Sequence, residues 1–225
     1  MRLLATKQLS LSLKDRLIQH GFSIVEQSFI KIKALSIPKK EIENQLIFTS
    51  QNAVKIAFSE PEIKAQLEGK NYFCVGKKTK TLLEENGQKV IKMTQNATDL
   101  AYFLTNNHKK EAFSFFCGKR RRPEIENLLK ENNMRCQIHE IYDTFLTPKT
   151  IDKPFDGILF FSPSAVSSYF KVNSINTETR GFCIGKTTAS ALDFYTKNYS
   201  IAKEPTETQL LLSIYNYYLQ HHAQK

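Results

Sequence analysis

The chain has 225 residues, of which 41% are hydrophobic and 24% charged, and a formal net charge of +10. That is enough apolar content for a packed core, and 8 Gly and 7 Pro are too few for long disordered tracts. No apolar run reaches membrane-spanning length, and the opening MRLLATKQLS is too short and polar for a signal peptide, so membrane and secreted classes are not expected.

The excess of positive charge suits a polyanion: nucleic acid, a phosphate ester or a small polycarboxylate. A lysine-rich solvated surface explains it equally well. Four cysteines show no CxxC spacing. Cys74, Cys117 and Cys183 end the apolar runs YFC, FFC and GFC, so they read as buried strand residues in a reducing cytoplasm. His20, His108 and His139 are isolated and His221-His222 sit in a polar tail, which makes a metal site a poor expectation.

In chain order, 2–5 reads as a short strand and 9–21 as a helix stopped at Gly21. SIVEQSFIKIKA (23–34) is β-rich, and Pro38 with its charged neighbours breaks the pattern. Strand 46–49 leads to a helix over 51–58, and Pro61 opens another. Strand 72–75 turns at Gly76 into a helix over 77–86, closed by Gly87. Strands at 89–93, 112–117 and 136–142 follow, with helices at 99–106 and 123–130 between them. Two prolines and scattered charges mark a linker at 147–154. Strands at 158–161, 181–184 and 199–202 come next, with helices over 165–170 and 187–195, and a last helix covers 207–218. Alternation of this kind predicts doubly wound parallel sheets.

One block occurs twice. LIFTSQNAV (46–54) matches ILFFSPSAV (158–166), with Ser50 against Ser162 at an offset of 112 (162 − 50). YFCVGKKTKTLL (72–83) matches GFCIGKTTASAL (181–192), with Cys74 against Cys183 at an offset of 109 (183 − 74). Ordered matches at nearly constant spacing imply two copies of one α/β unit. The second copy has only three strands of its own, and the two at the N-terminus complete it. The expected partition is therefore a discontinuous domain, 1–30 with 148–225, and a continuous domain at 36–140. The connections lie near 31–35 and 141–147, with a cleft between the twins as the expected ligand site.

Each unbroken apolar run suits a strand buried on both faces, and the Ser that follows suits a helix cap. Ser50-Gln51-Asn52 and Ser162-Pro163-Ser164 occupy equivalent strand ends beside GKKT (76–79) and GKTT (185–188). Caps and anion sites are both open readings of these residues. Neither glycine segment is a P-loop, and there is no GxSxG. KRRR (119–122) precedes a helix start, where cations oppose the helix dipole and hint at an anion, though a solvated loop fits as well. Thr206 with Gln209 reads as a capping box. Tyr142 stands where the middle domain hands back to the linker; a place in the cleft and a half-buried packing role are both open.

The segments LIFTSQNAV, FCVGKKTKTLLEENG, FFCGKRRRPEIENLLKENN, EIYDT, ILFFSPSAV, FCIGKTTASAL and EPTETQLLLSI together resemble the uroporphyrinogen-III synthase family, in its order, over about residues 40–215. The N-terminal strand matches least, because Lys7 stands where the family often has arginine. The resemblance implies two flavodoxin-like α/β domains joined by a two-stranded linker, a cytoplasmic monomer and no cofactor. It implies conversion of hydroxymethylbilane, with its eight carboxylates, to uroporphyrinogen III. Water is lost, and the last pyrrole ring is inverted through a spiro intermediate before the macrocycle closes. It assigns substrate binding to Ser50, Gln51, Asn52, Thr79, Ser162, Ser164, Lys186, Thr187 and Thr206, and departure of the hydroxyl to Tyr142. Against it stand a non-catalytic twin-domain sensor of a tetrapyrrole or other polyanion and, on charge alone, a nucleic-acid-binding protein. The expectation carried forward is a small-molecule substrate, with neither nucleic acid nor membrane as partner.

Overall fold

The computed structural model describes residues 1–36 and 41–222; the expected break at Pro38 lies outside them. The chain divides into two compact units, Met1–Lys31 with Phe145–Lys225, and Ile32–Thr144.

In chain order, β1 (Arg2–Ala5), α1 (Leu11–Gln19) and β2 (Ser23–Glu26) come first, followed by β3 (Ile30–Ala34) and β4 (Gln45–Phe48). Next are α2 (Gln51–Ser59), α3 (Pro61–Leu67), β5 (Asn71–Val75), α4 (Lys77–Glu85), β6 (Val90–Thr94) and α5 (Ala97–Asn107). Then follow β7 (Phe113–Gly118), α6 (Glu124–Glu131), β8 (Cys136–Leu146), β9 (Gly157–Phe160) and α7 (Pro163–Tyr169). The chain closes with β10 (Arg180–Cys183), α8 (Lys186–Leu192), β11 (Tyr199–Ile201) and α9 (Glu207–His222).

The first unit is built on a five-stranded sheet in the order β11-β10-β9-β1-β2, and every pairing in it is parallel. The inner strands β1, β9 and β10 are buried on both faces, which is why they read as unbroken apolar runs. Leu3, Ala5, Leu159 and Phe182 face a core shared with Leu13 and Leu17 of α1 and with Leu210, Leu211 and Ile214 of α9. Leu4, Ile158, Phe160 and Cys183 face the opposite core, with Val166 and Tyr169 of α7 and Leu192 of α8. Period-two alternation thus splits each short strand between two helix layers. Each large side chain so buried contributes about 1.5–3 kcal/mol.

The second unit carries a six-stranded sheet in the order β3-β8-β7-β4-β5-β6. Leu46, Phe48, Tyr72 and Cys74 pack with α2 and α4 residues on one face. Ile47, Phe73, Phe113 and Phe115 pack with Leu100 and Leu104 of α5 and Ile125 and Leu129 of α6 on the other. The aligned blocks make β4 and β5 the counterparts of β9 and β10. With β6 against β11, β7 against β1 and β8 against β2, both sheets then have the same spatial order. The first unit has the flavodoxin order 2-1-3-4-5 along the chain, and the second is its circular permutation, 3-2-1-4-5.

The β-rich stretch 23–34 proves to be two strands that enter different sheets. Between them Gln27 donates its N–H to Ala5, and Phe29 is fully buried. β3 and β8 are the two strands on which the chain passes between the units: Leu35 donates to Ile141 and Thr147 to Phe29. β8 runs to Leu146, four residues beyond the predicted end.

Candidate active site

In the second unit the strand order reverses between β4 and β7. Ligands of open α/β sheets bind at such switch points, beyond the carboxyl ends of the strands. Ser50 stands there in extended conformation as the cap of α2, its side chain accepting the N–H of Asn52 at 3.1 Å. Tyr142, from β8, donates its hydroxyl to Ser50 Oγ at 2.9 Å. The tyrosine ring has room because residue 118 is glycine: a Cβ there would lie 2.5 Å from the ring's Cζ. A register shift after Cys117 sets Gly118 opposite Tyr142. Burial pushes the Tyr142 phenol above its ordinary value, more than the bond to Ser50 pulls it back, so the group keeps its proton.

Gln51 is exposed and Asn52 half-buried in the first turn of α2. Gly76 has φ 86°, a left-handed turn that favours glycine, and α4 starts directly after it with Lys77 and Lys78 exposed. Thr79 is only 4% exposed, and its N–H is spent on Gly76. At the offset of the repeat Thr79 aligns with Thr188, also buried at 3%, rather than with the exposed Thr187.

In the first unit Ser162 caps α7, accepting the N–H of Ala165 at 3.2 Å, with Ser164 half-buried behind it. Lys186 and Thr187 are exposed at the start of α8. Gly185 has φ 179°, an extended backbone open to any residue, so the two glycines that look alike in sequence do different work. Thr206 caps α9 by accepting the N–H of Gln209 at 3.2 Å. The return bond of a capping box is replaced: the Thr206 N–H donates to Glu204. Glu207 instead takes Lys7 Nζ at 3.0 Å and the Ser10 hydroxyl, and Lys7 lies 4.4 Å from the Phe161 ring centroid. Lys7 and Glu207 meet across about 200 residues of chain, so no local pattern signals the pair.

The KRRR run is largely neutralised by nearby carboxylates. Arg121 donates to Glu126 and Glu140, Arg120 lies 3.6 Å from Asp143, and Arg122 lies 3.7 Å from Glu124. Glu124 and Glu126 occupy the first turn of α6, where the helix dipole favours them. The hinted anion is thus supplied by the chain itself. Burial pushes the thiols of Cys74, Cys117, Cys136 and Cys183 up to about 12, which makes them unreactive. Among the described residues no group of three or more His, Cys, Asp or Glu could hold a metal ion, and no helix is long and apolar enough to cross a membrane.

Two α/β units, each with a serine capping the helix that follows a central strand, and a protonated tyrosine at one switch point define a two-domain α/β protein. The family model for "Uroporphyrinogen-III synthase HemD" matches residues 12–211. The chain therefore belongs to the uroporphyrinogen-III synthase family, and its activity is that of a cyclising lyase of porphyrin and haem biosynthesis. The non-catalytic sensor reading is not favoured. The fold of the chain is similar to that of uroporphyrinogen-III synthetase from Helicobacter pylori 26695, with TM-score 0.73 and 17% identity, covering 96% of this chain and 100% of that one. It is also similar to a mutant uroporphyrinogen III synthase from the extremely thermophilic bacterium Thermus thermophilus, with TM-score 0.67 and 16% identity, covering 98% and 99%. No curated protein sequence matches the chain.

Proposed function

We propose that the substrate is hydroxymethylbilane, bound by its acetates and propionates at the strand-end groups. These are Ser50, Gln51 and Asn52 in the second unit, and Ser162, Ser164, Lys186, Thr187 and Thr206 in the first. Hydroxyls, amides and the Lys186 ammonium suit carboxylate oxygens, and α2 and α4 add the favourable field of a helix start. Thr79, being buried, contributes through the packing that sets the start of α4.

The observation that carries the mechanism is the Tyr142–Ser50 hydrogen bond, which fixes a protonated phenol beside a predicted carboxylate binder. In this reading the C–O bond of the hydroxymethyl group breaks as Tyr142 passes its proton to the departing oxygen, and water leaves. The electron-deficient carbon is then attacked by the last pyrrole ring, which is inverted through the spiro intermediate. Closure of the macrocycle releases a proton from a pyrrole carbon, which restores the phenol. A positioned acid of this kind contributes roughly 10²–10⁴-fold. We further propose that the enzyme works as a cytoplasmic monomer.

Amide hydrogen exchange with and without uroporphyrinogen III tests the binding assignment. Exchange is expected to slow both at Ser50–Asn52 and at Ser162–Ala165. Protection confined to one unit contradicts it.

A further inference from the structure

The first unit holds a cavity of about 370 Å³ between the edge strand β11 and one face of α9. Its polar wall is organised by Arg180. The guanidinium Nη1 donates to Asn198 Oδ1 at 2.6 Å, and Nε and Nη2 donate to Ser200 Oγ at 3.3 and 3.1 Å. The guanidinium carbon lies 4.5 Å from the centroid of the Tyr217 ring. The cation is therefore held in place by neutral neighbours, and among the described residues no carboxylate pairs with it or lines the cavity. Donors of the fork remain for a ligand. Exposed Lys203 adds a second positive charge, and Asn216 adds an amide. The rim is apolar: Ile201 is 39% exposed and Leu212 40%.

A fixed, partly buried cation without a counter-charge favours an oxyanion, and bidentate pairing with carboxylate or phosphate is what the fork does best. The Tyr217 ring and the two aliphatic rim residues favour an apolar or flat body on the same molecule. We propose that this cavity is a second ligand site, for a small molecule with one carboxylate or phosphate head and an apolar body, filled independently of the tetrapyrrole. A volume of this size lies in the range of small-ligand sites.

The full chain titrated with phenyl phosphate and, separately, with benzoate tests this by amide NMR. Saturable shifts are expected at Ser200, Ile201, Lys203, Ser213 and Asn216, and the tighter of the two probes identifies the head group. Arg180→Gln is expected to weaken binding about tenfold or more, and Lys203→Gln to weaken it less. Turnover to isomer III is expected to be unchanged in both. Should Arg180→Gln fail to fold, Arg180→Lys retains the charge, removes the fork and is expected to show the same weakening. No saturable shift with either probe, shifts confined to the strand-end groups, or wild-type affinity in the Arg180 variants would overturn the proposal.

Discussion

The hydroxyl of Tyr142 donates to Ser50 Oγ at 2.9 Å, and the same oxygen accepts the N–H of Asn52 at 3.1 Å. One serine thus joins the proposed proton donor to the start of α2. Tyr142→Phe keeps the ring and removes only the hydroxyl. We expect turnover to fall by about 10²-fold or more, and stability to change by only about 1 kcal/mol, the worth of one hydrogen bond. Because burial raises the Tyr142 phenol, its acid form persists beyond the ordinary tyrosine value. The alkaline fall in kcat due to Tyr142 should therefore lie above about pH 10. Comparison of the pH–rate profiles of the wild type and the Phe variant checks both points. Wild-type turnover in the variant, or a falling limb near neutral pH that disappears with it, contradicts the role.

Gly118 is the seat of that ring. A methyl group there would meet Cζ at 2.5 Å, Cε2 at 2.6 Å and the hydroxyl oxygen at 2.9 Å. The tyrosine must move, and with it the bond to Ser50. Gly118→Ala is expected to cost about 1–3 kcal/mol in denaturant titrations, as overpacking does, and to reduce turnover at least as far as Tyr142→Phe. The double variant Gly118→Ala with Tyr142→Phe should show far less than the product of the two rate losses. Full additivity of the losses would separate Gly118 from the tyrosine.

The sheet orders give a prediction for fragments. Residues 36–146 contain β4 to β8 and the helices on both faces, so they should unfold cooperatively when expressed alone. Residues 148–225 lack β1 and β2, which leaves β9 as a bare apolar edge. Calorimetry should show a transition for the first fragment and none for the second. A cooperative transition in 148–225 contradicts the discontinuous partition.

The repeat was legible because parallel strands buried on both faces have to be apolar throughout, and because both copies retain the serine that caps the next helix. The partners of each strand were not legible. Residues 23–34 look like one β-rich run, yet β2 joins β1 while β3 joins β8, with the buried Phe29 in the short stretch between them. Ser50, Ser162 and Thr206 were readable as caps, but Thr79 carries no mark in GKKT that its side chain turns inward while Lys78 stays exposed. The seat of Tyr142 was hidden because Gly118 lies on the neighbouring strand and the register shifts just before it. KRRR reads as a free basic run until Glu140, nineteen residues from Arg121, comes into reach.

Isomer III synthase activity is measured by supplying freshly made hydroxymethylbilane and separating the isomers of uroporphyrinogen. Spontaneous closure gives isomer I, which sets the background. The wild-type chain is expected to divert the substrate to isomer III, and Tyr142→Phe to leave most of it to close as isomer I. Isomer I alone, from folded wild-type protein, would contradict that activity.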